Sequence, residues 1–288
     1  MRGARLKGVA VRAVLAIAMA GSAAAQDKNH HTLANPTPDH LLRDMTTDRP
    51  DTTETPFSVD AGHVQIETTV LGFARSRTDG MGVTTDTYEL AVTNIRVGLT
   101  RSLEAGFVWQ PHGRVHVHGG PGGATRLSGA GGLELRAKLN LWGNDAFREP
   151  GATALALLPF LVLPTDRNSG ISPDFAEGGV IVPFAVKLTD KLGLGLNTGA
   201  TWVTADATSG YHAEYLASAS LGVEWSETLG TYYEVAGRFR VDRGDEIVLG
   251  TGVTYRLSKS IQLDAGVNLG LTPAADRFNP FVGLSVRF

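Results

Sequence analysis

The stretch Pro280-Phe281-Val282-Gly283-Leu284-Ser285-Val286-Arg287-Phe288 decides how this chain folds. Successive side chains of a strand point to opposite faces. Pro280, Val282, Leu284, Val286 and Phe288 therefore share one apolar face, and Phe281, Gly283, Ser285 and Arg287 share a mixed one. The chain then stops on an aromatic residue. An exposed apolar edge strand at the end of a water-soluble sheet invites pairing with other chains. A strand that closes a barrel in a bilayer carries no such liability, because its backbone partners are all internal.

Working outward, the same alternation recurs upstream. Ile261, Leu263, Ala265, Val267, Leu269 and Leu271 oppose Gln262, Asp264, Gly266, Asn268 and Gly270; Leu133, Leu135, Ala137, Leu139 and Leu141 oppose Glu134, Arg136, Lys138 and Asn140. Tyr215, Ala217, Ala219, Leu221, Val223 and Trp225 oppose Glu214, Ser218, Ser220 and Glu224, and Tyr233, Val235 and Phe239 oppose Glu234, Arg238 and Arg240. Segments of about ten residues with this period are the mark of membrane barrels. Alternation alone also fits a soluble sandwich, so the connections must break the tie. Residues 100–102, 190–191, 226–229 and 258–260 are tight turns, whereas 75–85, 112–127, 164–176 and 204–213 are long and rich in turn-forming residues. Residues 242–246 and 272–278 are the shorter members of the long class. Short periplasmic turns facing longer outer loops is the barrel pattern. The reading is an all-β fold: a transmembrane antiparallel up-and-down β-barrel of about twelve strands, with both ends on the periplasmic side. Trp109, Trp142, Trp202 and Trp225, with Tyr215, Tyr233 and Tyr255, fall near strand ends and suit aromatic girdles at the headgroup level.

The front of the chain is different material. Arg2, Arg5, Lys7 and Arg12 precede an apolar run from Ala13 to Ala20 and the small residues Ala23, Ala24 and Ala25, which together read as a secretory signal over 1–25. That run is too short for a spanning helix, which needs about 20 residues. Losing a leader with four basic residues and no acids moves the formal charge from −3 to about −7, which argues against a nucleic-acid partner. No cysteine is present, so an exported form has neither disulfides nor thiolate metal ligands. The greasy run from Ala152 to Pro164 contains Pro159 and Pro164 and is read as a buried or lipid-facing strand, not a helix. Residues 26–62, with Pro36, Pro38, Pro50 and Pro56, lack periodicity and form an extended periplasmic arm; the barrel then occupies 63–288.

Within the arm, Thr47-Asp48-Arg49-Pro50-Asp51-Thr52-Thr53-Glu54-Thr55-Pro56-Phe57, followed by Gly62, Gln65 and Glu67, resembles the outer-membrane transporter family associated with the meta-pathway of phenol degradation. The turn from Gly98 to Glu104 and the Leu158-to-Thr165 strand resemble the same family, although Thr52 and Asp166 depart from its usual pattern. The terminal Phe288 is similar to the closing residue of bacterial outer-membrane barrels, which implies recognition by the barrel-assembly machinery. The resemblance implies an outer-membrane channel or uptake protein for a small solute, and weakly an aromatic or hydrophobic one, with lipid as its surroundings. A monomer is expected.

Asp48, Arg49, Pro50, Asp51 and Glu54 form either a plug or docking segment at the periplasmic mouth, or an ordered leader that simply seals the barrel's first turn; Arg49 suits bidentate pairing with a lumen carboxylate. Glu134, Arg136, Lys138, Glu224, Glu234, Arg238, Arg240, Arg256, Asp264 and Arg287 are expected to face the lumen. They supply either an oriented polar pathway or internal ion pairs that hold the wall together. Twelve strands lie between barrels filled by side chains and those with open channels, so a narrow pore occluded by the arm is expected. His112, His116 and His118 cluster before a glycine-rich run, but a mobile loop lacks the second shell a metal site needs; no metal or cofactor is assigned. Ser209, His212 and Ser218 are the nearest approach to a hydrolase site, without a visible nucleophile–base–orienter set. No catalytic residue is assigned. The alternatives to a passive channel are a barrel-borne lipid hydrolase and a structural surface protein with a filled lumen.

Overall fold

A computed structural model of the chain describes residues 28–167, 169–204, 210–241 and 244–288. The leader reading and Ser209 lie outside the described residues. Among the described residues, fourteen antiparallel strand segments follow one 3-10 turn, Asp39–Leu41. They are β1 (Val64–Arg75), β2 (Thr84–Gly98), β3 (Leu103–Trp109), β4 (His112–His118), β5 (Thr125–Gly129), β6 (Leu133–Trp142) and β7 (Thr153–Leu163). The second half comprises β8 (Glu177–Lys187), β9 (Leu192–Val203), β10 (His212–Glu224), β11 (Leu229–Phe239), β12 (Glu246–Ser258), β13 (Ile261–Gly270) and β14 (Phe278–Arg287).

Twelve of these close a ring. β14 pairs with both β13 and β1, and β1 pairs with β2, so no edge is left in the ring. The remaining two, β4 and β5, form a hairpin that rises from the ring. The upper half of β2 pairs with β4 and its lower half with β3, and β3 in turn pairs with β6. β3–β4 is thus one long strand broken at Gln110-Pro111, where proline removes a ladder donor. β5–β6 is broken opposite it, where the Gly131 N–H donates to the Gln110 carbonyl at 2.9 Å. Residues 112–127, expected as a loop, are therefore mostly this hairpin. Pro111 and the glycines at 119–123 disguise two short paired runs as one turn-rich stretch.

The terminal strand behaves as its alternation requires. Val282 and Phe288 are exposed on the outer face, whereas Ser285 and Arg287 are buried inside. Leu263, Leu269, Leu139, Leu141 and Val235 are likewise exposed outward, and Asp264, Lys138 and Glu234 are buried inward. Such an apolar outer band around a closed backbone ring is how strands cross a bilayer. Among the described residues no helix is long and apolar enough to cross one. β7 is apolar on both faces: Leu157 and Leu161 face outward, and Ala154, Ala156 and Leu158 are fully buried within.

Turns at 99–102, 188–191, 225–228 and 259–260 mark one end of the ring, the end that also receives residues 28–62. The 143–152 connection on that end is an exception to the short-turn rule. Trp142 and Trp225 sit at this end, and Trp109 and Trp202 at the other, all exposed. The Trp142 and Trp225 indole N–H groups donate to Thr153 and Thr231 at 3.2 and 2.9 Å. Tyr215 lies toward the outer end and Tyr255 toward the periplasmic end; Tyr233 instead falls mid-strand, because β11 begins at Leu229.

Candidate functional site: an arm seated across the lumen

Alternation aims a set of polar side chains into the lumen from most of the ring, and the arm supplies their partners. Residues 28–43 lie at the periplasmic end: Thr32 bridges Thr100, and the Leu33 N–H donates to the Leu99 carbonyl at 2.9 Å. The Arg43 guanidinium there donates to the carbonyls of Arg101 and Ser58. The chain then enters the lumen, turns at 49–54, and returns to Asp60 past the same wall, where Asn140 donates to the Pro56 carbonyl and Glu104 accepts from the Val59 N–H. The Arg49–Pro50 peptide at the turn is cis.

The descending limb is held by β1, β2, β3 and β6. Lys138 donates to both oxygens of Asp48, at 2.6 and 2.8 Å. Arg96, fully buried, pairs with Glu67 at 2.8 Å, with Glu104 at 2.9 Å and with Asp48 at 3.3 Å. It also donates to the Phe57 carbonyl on the returning limb at 2.8 Å. Burial alone would raise the Asp48 pKa, but the charges of Arg96 and Lys138 outweigh it and hold the carboxyl well below its usual range.

The apex reaches the far wall. Arg49 donates to the two Asp264 oxygens on β13 at 2.7 and 3.3 Å, donates to the Thr69 hydroxyl on β1, and lies over the Phe281 ring. The Thr52 N–H and the Thr53 hydroxyl donate to Glu234 on β11 at 3.0 and 2.6 Å, and Thr53 Oγ1 lies 2.8 Å from Ser218 Oγ on β10. Glu54 pairs with Arg136 on β6 at 3.0 Å. With its amide turned to satisfy both groups, Asn197 on β9 accepts from the Glu54 N–H at 2.6 Å and donates to its carbonyl at 3.0 Å. The arm thus touches β1, β2, β3, β6, β9, β10, β11, β13 and β14. A side chain at Gly283 on β14 would start 2.1 Å from an Arg49 nitrogen, so the wall is left bare where the guanidinium passes.

Two apex acids sit in settings unlike that of Asp48. Burial, then the Glu234 charge, pushes Asp51 up to about 8 despite a hydrogen bond from Ser220. Burial pushes Glu54 up to about 7, with Arg136 opposing.

The remaining expected lumen residues are distributed unevenly. Glu134 is paired with Arg136 at 2.5 Å, and Arg240 bridges Glu214 at 3.3 Å and Glu246 at 2.6 Å toward the outer end. Arg238 is exposed. Arg287 donates to the Arg43 carbonyl at 2.7 Å, at the periplasmic end. Glu224 and Arg256, 3.8 Å apart and well exposed, line a periplasmic vestibule of about 750 Å³ that lies between the arm and the wall and reaches Pro50. Sequence reasoning missed Arg96, Glu104, Gln65, Glu67 and Asn197 as partners of the arm. The inward parity of Gln65 and Glu67 on one strand was the available signal.

The other candidates separate. Ser218 and His212 lie six residues apart on β10, about 20 Å along an extended chain, and Ser218 is covered by Thr53. His112, His116 and His118 are on β4; the His118 Nε2 lies 3.1 Å from Asp86, which also pairs with Arg75 at 2.6 Å. Among the described residues no three metal-ligating side chains converge.

The family model described as "Putative MetA-pathway of phenol degradation" matches residues 47–288, from the arm's apex to the last strand. This chain belongs to that family. The match takes in the turn and returning limb of the arm together with the whole barrel. The fold is similar to that of the COG4313 outer membrane channel from Pseudomonas putida F1, with a TM-score of 0.62 at 15% identity, covering 84% of this chain and 100% of that one. It is also similar to the transport unit of the autotransporter AIDA-I from Escherichia coli, with a TM-score of 0.53 at 8% identity, covering 85% and 92%. No curated protein sequence matches the chain.

Proposed function

We propose that this protein is an outer-membrane channel for energy-independent passage of a small, apolar or aromatic solute, closed at rest by the arm. One observation carries the reading: a periplasmic vestibule of about 750 Å³ runs up to Pro50, at the turn of the arm. A lumen filled by wall side chains would have no such space. The neighbour from Pseudomonas putida is itself described as an outer membrane channel, which supports a passage role and an outer-membrane setting. Inward Leu158 and Ile181, paired across β7 and β8, with Phe160 next in line, give the lumen an apolar side suited to an aromatic solute. The polar residues of the apex hold the arm in place; they are positioning groups, not a solute site. Lipid surrounds the barrel, the assembly machinery reads the strand ending at Phe288, and the working unit is one chain.

Efflux of a small aromatic probe from vesicles tests this. Vesicles holding the full chain should leak slowly, and those holding a chain without residues 28–60 should leak much faster. Folded barrel, verified by gel mobility before and after boiling, that leaks equally slowly in both forms would refute it. A hydrolase reading would instead require lipid cleavage lost in Ser218→Ala.

A further inference from the structure

The hairpin above the ring has two unlike faces. Its inner face carries Gly113, Val115 and Gly129, packed by Ser169 and Ile171 from the 164–176 connection. Its outer face carries Arg114, His116, His118 and Arg126, with Arg114 opposite Tyr88 and Ser128, and His116 opposite Asp86 and Arg126. Asp86 is the acid on that face, and it is taken up by Arg75 and His118. Among the described residues no carboxylate pairs with Arg114 or Arg126. Between them lies a concavity of about 330 Å³ lined by Arg114, His116, Arg126, Leu127 and Ser128.

The rings beside it fix the height of this patch, since Tyr88 stands in register with Arg114. Phe278, Phe73, Tyr88 and His116 form a run of neighbouring rings across β14, β1, β2 and β4, with centroids 5.7, 5.1 and 5.5 Å apart. Amphipathic rings at the top of an apolar band mark the headgroup boundary. Cations level with such a boundary, on the loop end of an outer-membrane barrel, meet the headgroups of the outer leaflet. Guanidinium groups bind phosphate through paired, charge-assisted hydrogen bonds.

We propose that the outer face of the β4–β5 hairpin, through Arg114 and Arg126 with His116 between them, binds the phosphorylated glycolipid headgroup of the outer leaflet. Phosphate enters the concavity, and the acyl chains lie along the ring run of Phe73, Tyr88 and Phe278. The proposal rests on the outer-membrane placement given above, but not on solute passage.

Native mass spectrometry of the full chain in detergent, titrated with bis-phosphorylated lipid A, tests it. The wild type should retain that lipid at least tenfold better than lipid A stripped of both phosphates, and better than the acyl-free bis-phosphorylated disaccharide. Basic side chains at a headgroup surface add to lipid binding independently. R114Q/R126Q should therefore weaken lipid A retention roughly tenfold or more, with conductance and heat-modifiable gel mobility unchanged. R126Q alone, on the hairpin's free edge, should give part of the loss if the double variant does not fold. Equal retention of dephosphorylated lipid, or a double variant within twofold of wild type, would overturn the proposal. Tighter binding of the acyl-free disaccharide than of the lipid would also overturn it. A loss of lipid binding with intact conductance leaves the channel reading standing.

Discussion

Arg49 and Asp264 are 215 residues apart in the chain and 2.7 Å apart across the lumen. The pair joins the turn of the arm to a strand near the end of the sequence. The Asp264 side chain is fully buried and that of Arg49 is mostly so. Removing one member of a buried pair strands the other, at a cost of about 3–5 kcal/mol. Asp264→Ala should therefore shift the arm toward release by 10²-fold or more, seen as raised open probability in planar bilayers and faster cleavage of the arm by protease. An unchanged open probability would show that the pair does not hold the plug.

Gly283 tests the same contact from the other side. A methyl group there would begin 2.1 Å from the Arg49 guanidinium. Gly283→Ala should leave the barrel intact in gel mobility and still raise conductance. Because the two residues share one contact, combining Gly283→Ala with Arg49→Ala should add little to either change alone. Full additivity would contradict a shared origin.

The Lys138–Asp48 pair should behave as a buried ion pair rather than as a simple source of stability. Lys138→Met leaves Asp48 facing Glu67 and Glu104 with Arg96 as the one cation in direct contact and Arg136 farther off. That variant should lower thermal stability and loosen the arm. Adding Asp48→Asn should recover much of the loss, since replacing both partners is milder than removing one. A double variant less stable than the single one would refute this account.

Seating should depend on pH. Asp51 and Glu54 titrate near 8 and 7 when seated and near the ordinary carboxylate range when the arm is in water. Seating therefore takes up protons; its contribution is complete at low pH and is lost as pH rises to about 8. Asp48 works in the opposite sense, but only below the ordinary carboxylate range, outside that window. The groups facing Asp51 are Glu234, Ser220 and Tyr232 on the wall and Glu54 on the arm. Open probability should rise between pH 5 and pH 9, by up to about tenfold per pH unit for each proton released. Asp51→Asn should flatten that rise, whereas a fall with increasing pH would contradict the sign.

Much of the ring was legible because lipid enforces a period of two on every strand, as at Leu263 against Asp264. The family resemblance was legible in the 47–57 stretch and is matched from residue 47 onward. β7 was harder: with apolar residues on both faces, Leu157 and Leu158 carry no sign of which looks outward. The β4–β5 hairpin was hidden because Pro111 and the glycines at 119–123 weigh as turn signals, while its pairing with β2 is long-range. The arm's partners were hidden for the same reason. Local pattern places Glu234 and Asp264 on the inward side, but nothing local says that Thr52 and Arg49 meet them. Nor does it show that the ring run through Phe73, Tyr88 and Phe278 continues the girdle, because single aromatics on separate strands become a belt only once register is known.

The most direct test locks the arm where it lies. Thr53 Oγ1 and Ser218 Oγ are 2.8 Å apart, within reach of a disulfide, and the chain has no cysteine to compete. A Thr53→Cys/Ser218→Cys variant should cross-link in the membrane and show no openings in a planar bilayer while oxidised. Openings should then appear when a reductant is added. Failure of the two positions to cross-link, or the same conductance before and after reduction, would contradict a channel gated by its own arm.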